Sequence, residues 1–332
     1  MQTQMDNSVA ALIALIGLLA IAYGIAYWAF RARTDRSAFV GLYLLFGIPG
    51  ALLTIAGLVA LLRKQFELAP VLLLLGLGLL LPLLPQVRQA LARVLPIDPA
   101  SPVDMTGLSI VLGVCGFLAA PIFTGPSAAP DAGSVPVINY LDLAVQGAVF
   151  LLIAYMAVGW PISRFDEAEG KPRVRSLSEA TARLGIVMPD PRTIGWGLGA
   201  TLACFLVAGL AGYIGTLLQP GMGEGVSDVV EAMTGNVLTV PGAVLLGLSA
   251  GVGEEAIFRG ALQPRLGIVL TSVAFALMHG GQYGLNFSIV GLFLVSVVLG
   301  LTRKYGNTTA AIIAHALYDT LQVLALVVAA RQ

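Results

Sequence analysis

The chain is a succession of long apolar runs separated by short polar breaks. Runs of spanning length cover residues 8–30, 37–62, 67–85, 105–126 and 139–162, then 193–218, 241–263, 265–280, 284–302 and 308–330. A membrane helix needs about 20 apolar residues to cross a hydrocarbon core of roughly 30 Å, so this pattern predicts about ten helices. The run at 265–280 is the shortest and reads as a half-span or a tilted helix. The expected fold class is all-α, a polytopic transmembrane helical bundle.

Charge orders the spans. With the N-terminus outside, fourteen Lys and Arg residues fall in inner segments: Arg31, Arg33 and Arg36, Arg88 and Arg93, the loop from Arg164 to Arg192, Arg265, and Arg303 with Lys304. Three (Arg63, Lys64 and Arg331) fall outside. Basic loops stay cytoplasmic, so both termini are predicted outside. Residues 1–7 carry no Lys or Arg ahead of the first apolar run, the reverse of a cleaved signal peptide, so that run reads as a retained span.

Composition narrows the function. Of 332 residues 58% are hydrophobic and 11% charged, against about 25% charged in soluble domains, which excludes a cytosolic enzyme, a disordered chain and a secreted disulfide scaffold. Net charge is zero, so no basic field points to nucleic acid. Cys115 and Cys204 lie inside apolar runs and read as small core residues rather than a disulfide. The expected organisation is an N-terminal five-span region (1–162), a cytoplasmic loop with a short helix (163–192) and a second membrane region (193–332). In the loop, Ser176 to Glu179 has the spacing of a capping box, and Gly185 is placed to stop the helix.

Ionisable residues at membrane depth are confined to the last four spans. Glu254, Glu255 and Arg259 lie in the seventh, His279 in the eighth, and His315 with Asp319 in the tenth; the two histidines are the only ones in the chain. Each such side chain costs about 2.5–3.5 kcal/mol at a helix centre on insertion scales, so the set is retained either to lock helices or for chemistry. At 1.5 Å per residue from the cytoplasmic ends, Glu254, His315, Asp319 and His279 lie about 13, 10, 16 and 21 Å deep. His315 and Asp319 are four apart and share a helix face, as do Glu255 and Arg259, which have the favourable order for an ion pair. Glu254, about 100° round the helix, is left without a local partner. A buried carboxylate with an imidazole can activate water, and a second imidazole with an acid can stabilise an oxyanion. The same four side chains, Glu254, His279, His315 and Asp319, also suit a divalent metal such as Zn with an open position. Spacing does not separate the two.

The series Glu254-Glu255-Ala256-Ile257-Phe258-Arg259, Phe275-x-x-x-His279 and His315-x-x-x-Asp319 resembles the CPBP intramembrane protease family, also called the CAAX prenyl protease type II or Abi family. The likeness runs from about Thr193 to Ala330. It implies an intramembrane endopeptidase in which Glu254 is the base on water and His279 assists. His315 and the fourth residue after it would hold the oxyanion, with Glu255, Arg259 and Phe275 as support. That fourth position is often Asn in the eukaryotic CAAX proteases of the family and is Asp319 here, which raises the metal option, although the resemblance favours a metal-free mechanism. Expected partners are a membrane-associated or prenyl-like peptide or protein substrate and the bilayer, without nucleic acid. The expected location is a bacterial inner membrane with the site opening to the cytoplasm. Two other functions fit the residues: a non-proteolytic, immunity-type partner of another membrane protein, and an ion-coupled transporter. The crowding of polar groups into one half argues against transport.

Overall fold

The computed structural model describes residues 2–123, 125, 130–166 and 171–330; Arg331, counted above among the outer charges, lies outside them. The N-terminal region contains α1 (Gln2–Arg31), α2 (Arg36–Leu62), α3 (Leu68–Leu80), α4 (Pro85–Leu91), α5 (Pro102–Ala119) and α6 (Tyr140–Ala157). A hairpin of β1 (Ser163–Asp166) and β2 (Lys171–Val174) leads to the short α7 (Leu177–Leu184). Then come α8 (Pro191–Leu218), α9 (Met222–Thr234), α10 (Val240–Glu255), α11 (Gln263–Met278), the single turn α12 (Gly280–Tyr283), α13 (Ser288–Tyr305) and α14 (Thr308–Ala329).

Local chemistry sets the helix starts. Ser101, Asp190 and Thr239 each accept from a backbone N–H in the first turn and are followed by proline at the start of α5, α8 and α10. The capping box expected at Ser176 and Glu179 opens α7, and Gly185, at φ 69°, closes it in the left-handed conformation. Asn307 caps α14 through Ala310 N–H and donates its amide to Thr193 Oγ1 on α8, tying the two helix starts together.

Eight helices among the described residues are long and apolar enough to cross a membrane, or nine if Leu68–Leu83 and Pro85–Leu91, bent by 90°, form one span. The expected seventh and eighth spans are joined in one 44-residue helical stretch, Val240–Tyr283. Such a stretch, if straight, would measure about 66 Å, twice the hydrocarbon thickness. Gly267, at φ 74° and ψ 172°, breaks it where Pro96 approaches. Two elements were not anticipated: the hairpin, and the amphipathic α9, whose buried side (Val229, Met233) is too sparse to stand out among apolar runs.

The helices that carry the intramembrane charges are neighbours. α10 packs between α6 and α14, α14 against α8, α8 against α13, and α13 against α11. α5 joins the two regions through α11. One apolar cluster crosses that junction, with Leu108, Val111 and Cys115 of α5 against Phe258, Leu266 and Phe275.

Candidate active site

Missing side chains set the site's helix spacing. A Cβ on Gly247 would lie 2.2 Å from Thr320 Oγ1 and 2.3 Å from the Ala316 carbonyl oxygen, and one on Gly251 would lie 2.9 Å from Ala316 Cβ. Gly253 faces the other way, where a Cβ would lie 3.1 Å from Gly147 Cα on α6. With lipid on the outside there is little hydrophobic drive between helices, and close backbone approach of this kind supplies the packing. It brings the end of α10 against α14 at the level of His315.

Beyond Glu255 the helix widens. Residues Ala256–Leu262 form a π-helical segment, in which Ala256, Phe258, Arg259, Gly260 and Ala261 are all buried. Gly260 lets Leu184 of α7 approach, since a Cβ there would lie 3.0 Å from the Leu184 carbonyl oxygen. π-Segments occur mostly at functional sites, and nothing in the apolar pattern announces one.

Glu255 and Arg259 are fully buried, with Glu255 Oε2 3.0 Å from Arg259 Nε. That contact is an ion pair, and neither Glu255 Oε2 nor Arg259 Nε has a hydrogen-bond partner. Arg259 Nη2 donates to Ser296 Oγ on α13 at 3.1 Å. The guanidinium lies over the rings of Phe258 and Phe275, at 5.9 and 5.3 Å from the centroids. Ring faces replace part of the hydration that a buried cation loses. The other carboxylate oxygen, Glu255 Oε1, is 2.9 Å from His315 Nδ1. On its far side His315 presents Nε2 to Asp319 Oδ2 at 3.3 Å.

Glu254 turns away from this network. Its Oε2 is buried, has no hydrogen-bond partner, and faces His279 Nε2 at 4.0 Å. His279 Nδ1 is 2.8 Å from the Phe275 carbonyl oxygen, which can only accept, so Nδ1 carries the proton. In the neutral ring Nε2 is then a bare lone pair. Phe275 packs between the two imidazoles, its ring centroid 4.7 Å from that of His279 and 5.9 Å from that of His315. Tyr283 stacks on the outer face of His279 at 6.1 Å and 7° between planes. The His279 and Asp319 side chains keep 19% and 20% of their exposure, against 10% for Glu254 and none for Glu255, so the set opens past the first two.

All seven residues singled out in the sequence thus meet in one cluster. Three further contacts were not foreseen. Tyr283 lies four residues after His279, a spacing that could have marked it. Ser296 and the Glu255–His315 contact depend on the register between separate helices, which sequence does not carry. Among the described residues no three His, Cys, Asp or Glu side chains converge closely enough to hold a metal ion. His315 Nδ1 is engaged with Glu255 and His279 Nδ1 with a carbonyl oxygen, which leaves Nε2 of each ring to face the other side chains of the cluster.

Comparison with curated proteins and with solved structures gave no match. Residues 236–321 match the family model described as Rce1-like, type II CAAX prenyl endopeptidase. The matched segment contains Glu254, Glu255, Arg259, Phe275, His279, His315 and Asp319, the full cluster built above. Over this segment the chain, which carries several helices apolar enough to span a membrane, is similar to the type II CAAX prenyl endopeptidases.

Proposed function

We propose that this protein is an intramembrane endopeptidase that hydrolyses a peptide bond with a water held between Glu254 and His279. One observation carries the proposal: two atoms with lone pairs and no donor between them, Glu254 Oε2 and His279 Nε2, face each other at 4.0 Å. A water at hydrogen-bond distance from both, about 2.8 Å, fits that gap and satisfies both with its two hydrogens. Its oxygen lone pairs then point outward, toward a carbonyl carbon.

Attack passes one water proton to Glu254 as the C–O bond forms and the carbonyl oxygen becomes an oxyanion. His315 Nε2 and Asp319 Oδ2 stand 3.3 Å apart, and we assign to this pair one proton as the donor to that oxyanion. This assignment removes the difficulty of an acid where the eukaryotic CAAX proteases often have an amide. With the proton on either atom the pair can donate, and the ring is already fixed by Glu255. Collapse of the intermediate breaks the C–N bond, and Glu254 returns its proton to the leaving amine. The second water proton, hydrogen-bonded to His279 Nε2, leaves the new carboxyl through that ring and passes to the amine, so the products are a carboxylate and an ammonium group.

The substrate is proposed to be a membrane-associated peptide or protein, with or without a prenyl-like lipid. The bias of basic residues supports a cytoplasmic mouth in a bacterial inner membrane. A binding-only partner would have no use for an unpaired buried carboxylate facing an imidazole, so the protease reading is preferred. The test incubates the purified protein in lipid with a peptide library and reads products by mass spectrometry, beside Glu254→Ala. Cleavage lost in the variant is expected; equal product from both proteins overturns the assignment.

A further inference from the structure

Resting on the protease reading, the geometry points to Glu255 as a positioning residue for His315, rather than only a brace for its own helix. We infer that Glu255, paired with Arg259, accepts a hydrogen bond from His315 Nδ1 and so orients Nε2 toward Asp319 and the substrate carbonyl.

The two oxygens of the Glu255 carboxylate do different work. Oε2 lies 3.0 Å from the Arg259 guanidinium and Oε1 lies 2.9 Å from His315 Nδ1, with Glu255 and Arg259 completely buried. A carboxylate that turns one oxygen to a guanidinium accepts with the other. His315 Nδ1 is therefore the donor in this contact, which fixes the tautomer. A carboxylate or carbonyl on one imidazole nitrogen decides what the other presents, and here the other, Nε2, reaches Asp319 at 3.3 Å. The two imidazoles of the site are thus oriented alike. His279 is set by the Phe275 carbonyl and turns Nε2 to Glu254, whereas His315 is set by a carboxylate and turns Nε2 to Asp319. This difference separates the water-activating imidazole from the oxyanion-binding one.

The test uses the full chain with isotope-labelled histidine in lipid. Only two rings contribute, and His279→Gln assigns them. In the wild type, the His315 Nδ1 proton should resonate far downfield, as a charge-assisted hydrogen bond requires. Glu255→Gln strands the buried Arg259 charge and endangers folding. The informative variant is therefore Glu255→Gln with Arg259→Met, which removes both charges and keeps an amide oxygen at the acceptor position. It should lose the downfield resonance while the His279 signals stay. Its kcat should fall on the order of 10–100-fold, the range for carboxylates that orient a functional imidazole, with KM little changed. Glu254→Gln should abolish turnover and leave the His315 resonance intact. An unaltered His315 signal in the double variant overturns the inference. Absence of any peptide cleavage by the wild type would instead overturn the protease reading, and the resonance would still decide the role of Glu255.

Discussion

Glu254 and Glu255 stand about 100° apart around one helix, and that rotation decides which of them is free to act as a base. Glu255 spends its oxygens on Arg259 and His315, whereas Glu254 keeps one oxygen without a hydrogen-bond partner, facing His279. Glu254→Gln should therefore abolish cleavage with the thermal unfolding temperature nearly unchanged, and full activity in that variant would exclude Glu254 as the base. Asp319→Asn gives a second residue-scale test. An amide donates at every pH, so activity should be retained and its pH–rate profile extended toward alkaline pH. A ligand role would instead make the variant lose turnover together with bound divalent metal, measured by metal analysis of the purified protein. At this scale much was legible in sequence. Four-residue spacings put His315 beside Asp319 and Glu255 beside Arg259, because neighbours on a helix face are a property of the helix itself. Contacts between helices, such as Glu255 with His315, were not legible, because they follow from side-chain-free glycine faces and a π-segment rather than from any one run.

Elements place these residues through backbone proximity. At Gly247 an added methyl meets a backbone carbonyl oxygen at 2.3 Å, which no rotamer change relieves. Gly247→Ala should push α10 from α14, cost about 1–3 kcal/mol by overpacking, and reduce turnover although no reacting group is altered. Gly209, on α8, has nothing within 4 Å of its added methyl, so Gly209→Ala should leave melting temperature and activity within error or slightly raise stability. Thermal unfolding and turnover of the two variants side by side distinguish packing from general glycine loss. The cap of α8 gives an acid test. Hydrogen bonds from the Thr193 hydroxyl and then its backbone N–H hold the Asp190 carboxyl below its usual range. A folded-state pKa below the unfolded one means the unfolded chain binds more protons. The cap's contribution is thus complete above pH of about 4 and is lost as the pH falls through the depressed value. Asp190→Asn keeps the cap without the charge, so it should lose less stability than the wild type when melts at neutral pH and at pH of about 3 are compared. Capping signals of this kind were readable at Ser176 and Gly185, because they are local. The break at Gly267 was readable only as a short span, because its direction depends on the approach of Pro96 from the connection between α4 and α5.

The whole molecule couples a region with no intramembrane charge cluster to one that has it, and the join is specific. Arg265, on the first turn of α11 just beyond the π-segment, pairs with Asp104 on the first turn of α5 at 3.1 Å, with both side chains mostly buried. Asp104 also accepts from Asp98 N–H, so the turn before α5 is anchored to the same carboxylate. Below it, Leu108 and Cys115 pack in one cluster with Phe258 and Phe275, the second of which separates the two imidazoles. The N-terminal region thus acts as a wall that fixes where α11 begins, and α11 carries His279 at its far end. Asp104→Ala should strand the Arg265 charge, at a cost of about 1–3 kcal/mol for a group left without its partner. It should also let α11 shift at its start and lower kcat. Asp104→Ala combined with Arg265→Met removes both charges and should restore much of the melting temperature. If the geometry of the join, rather than its stability, sets the site, kcat should stay depressed in this pair. Recovery of both quantities together would make the N-terminal region a stabiliser only, and full activity in the single variant would disconnect it from the site.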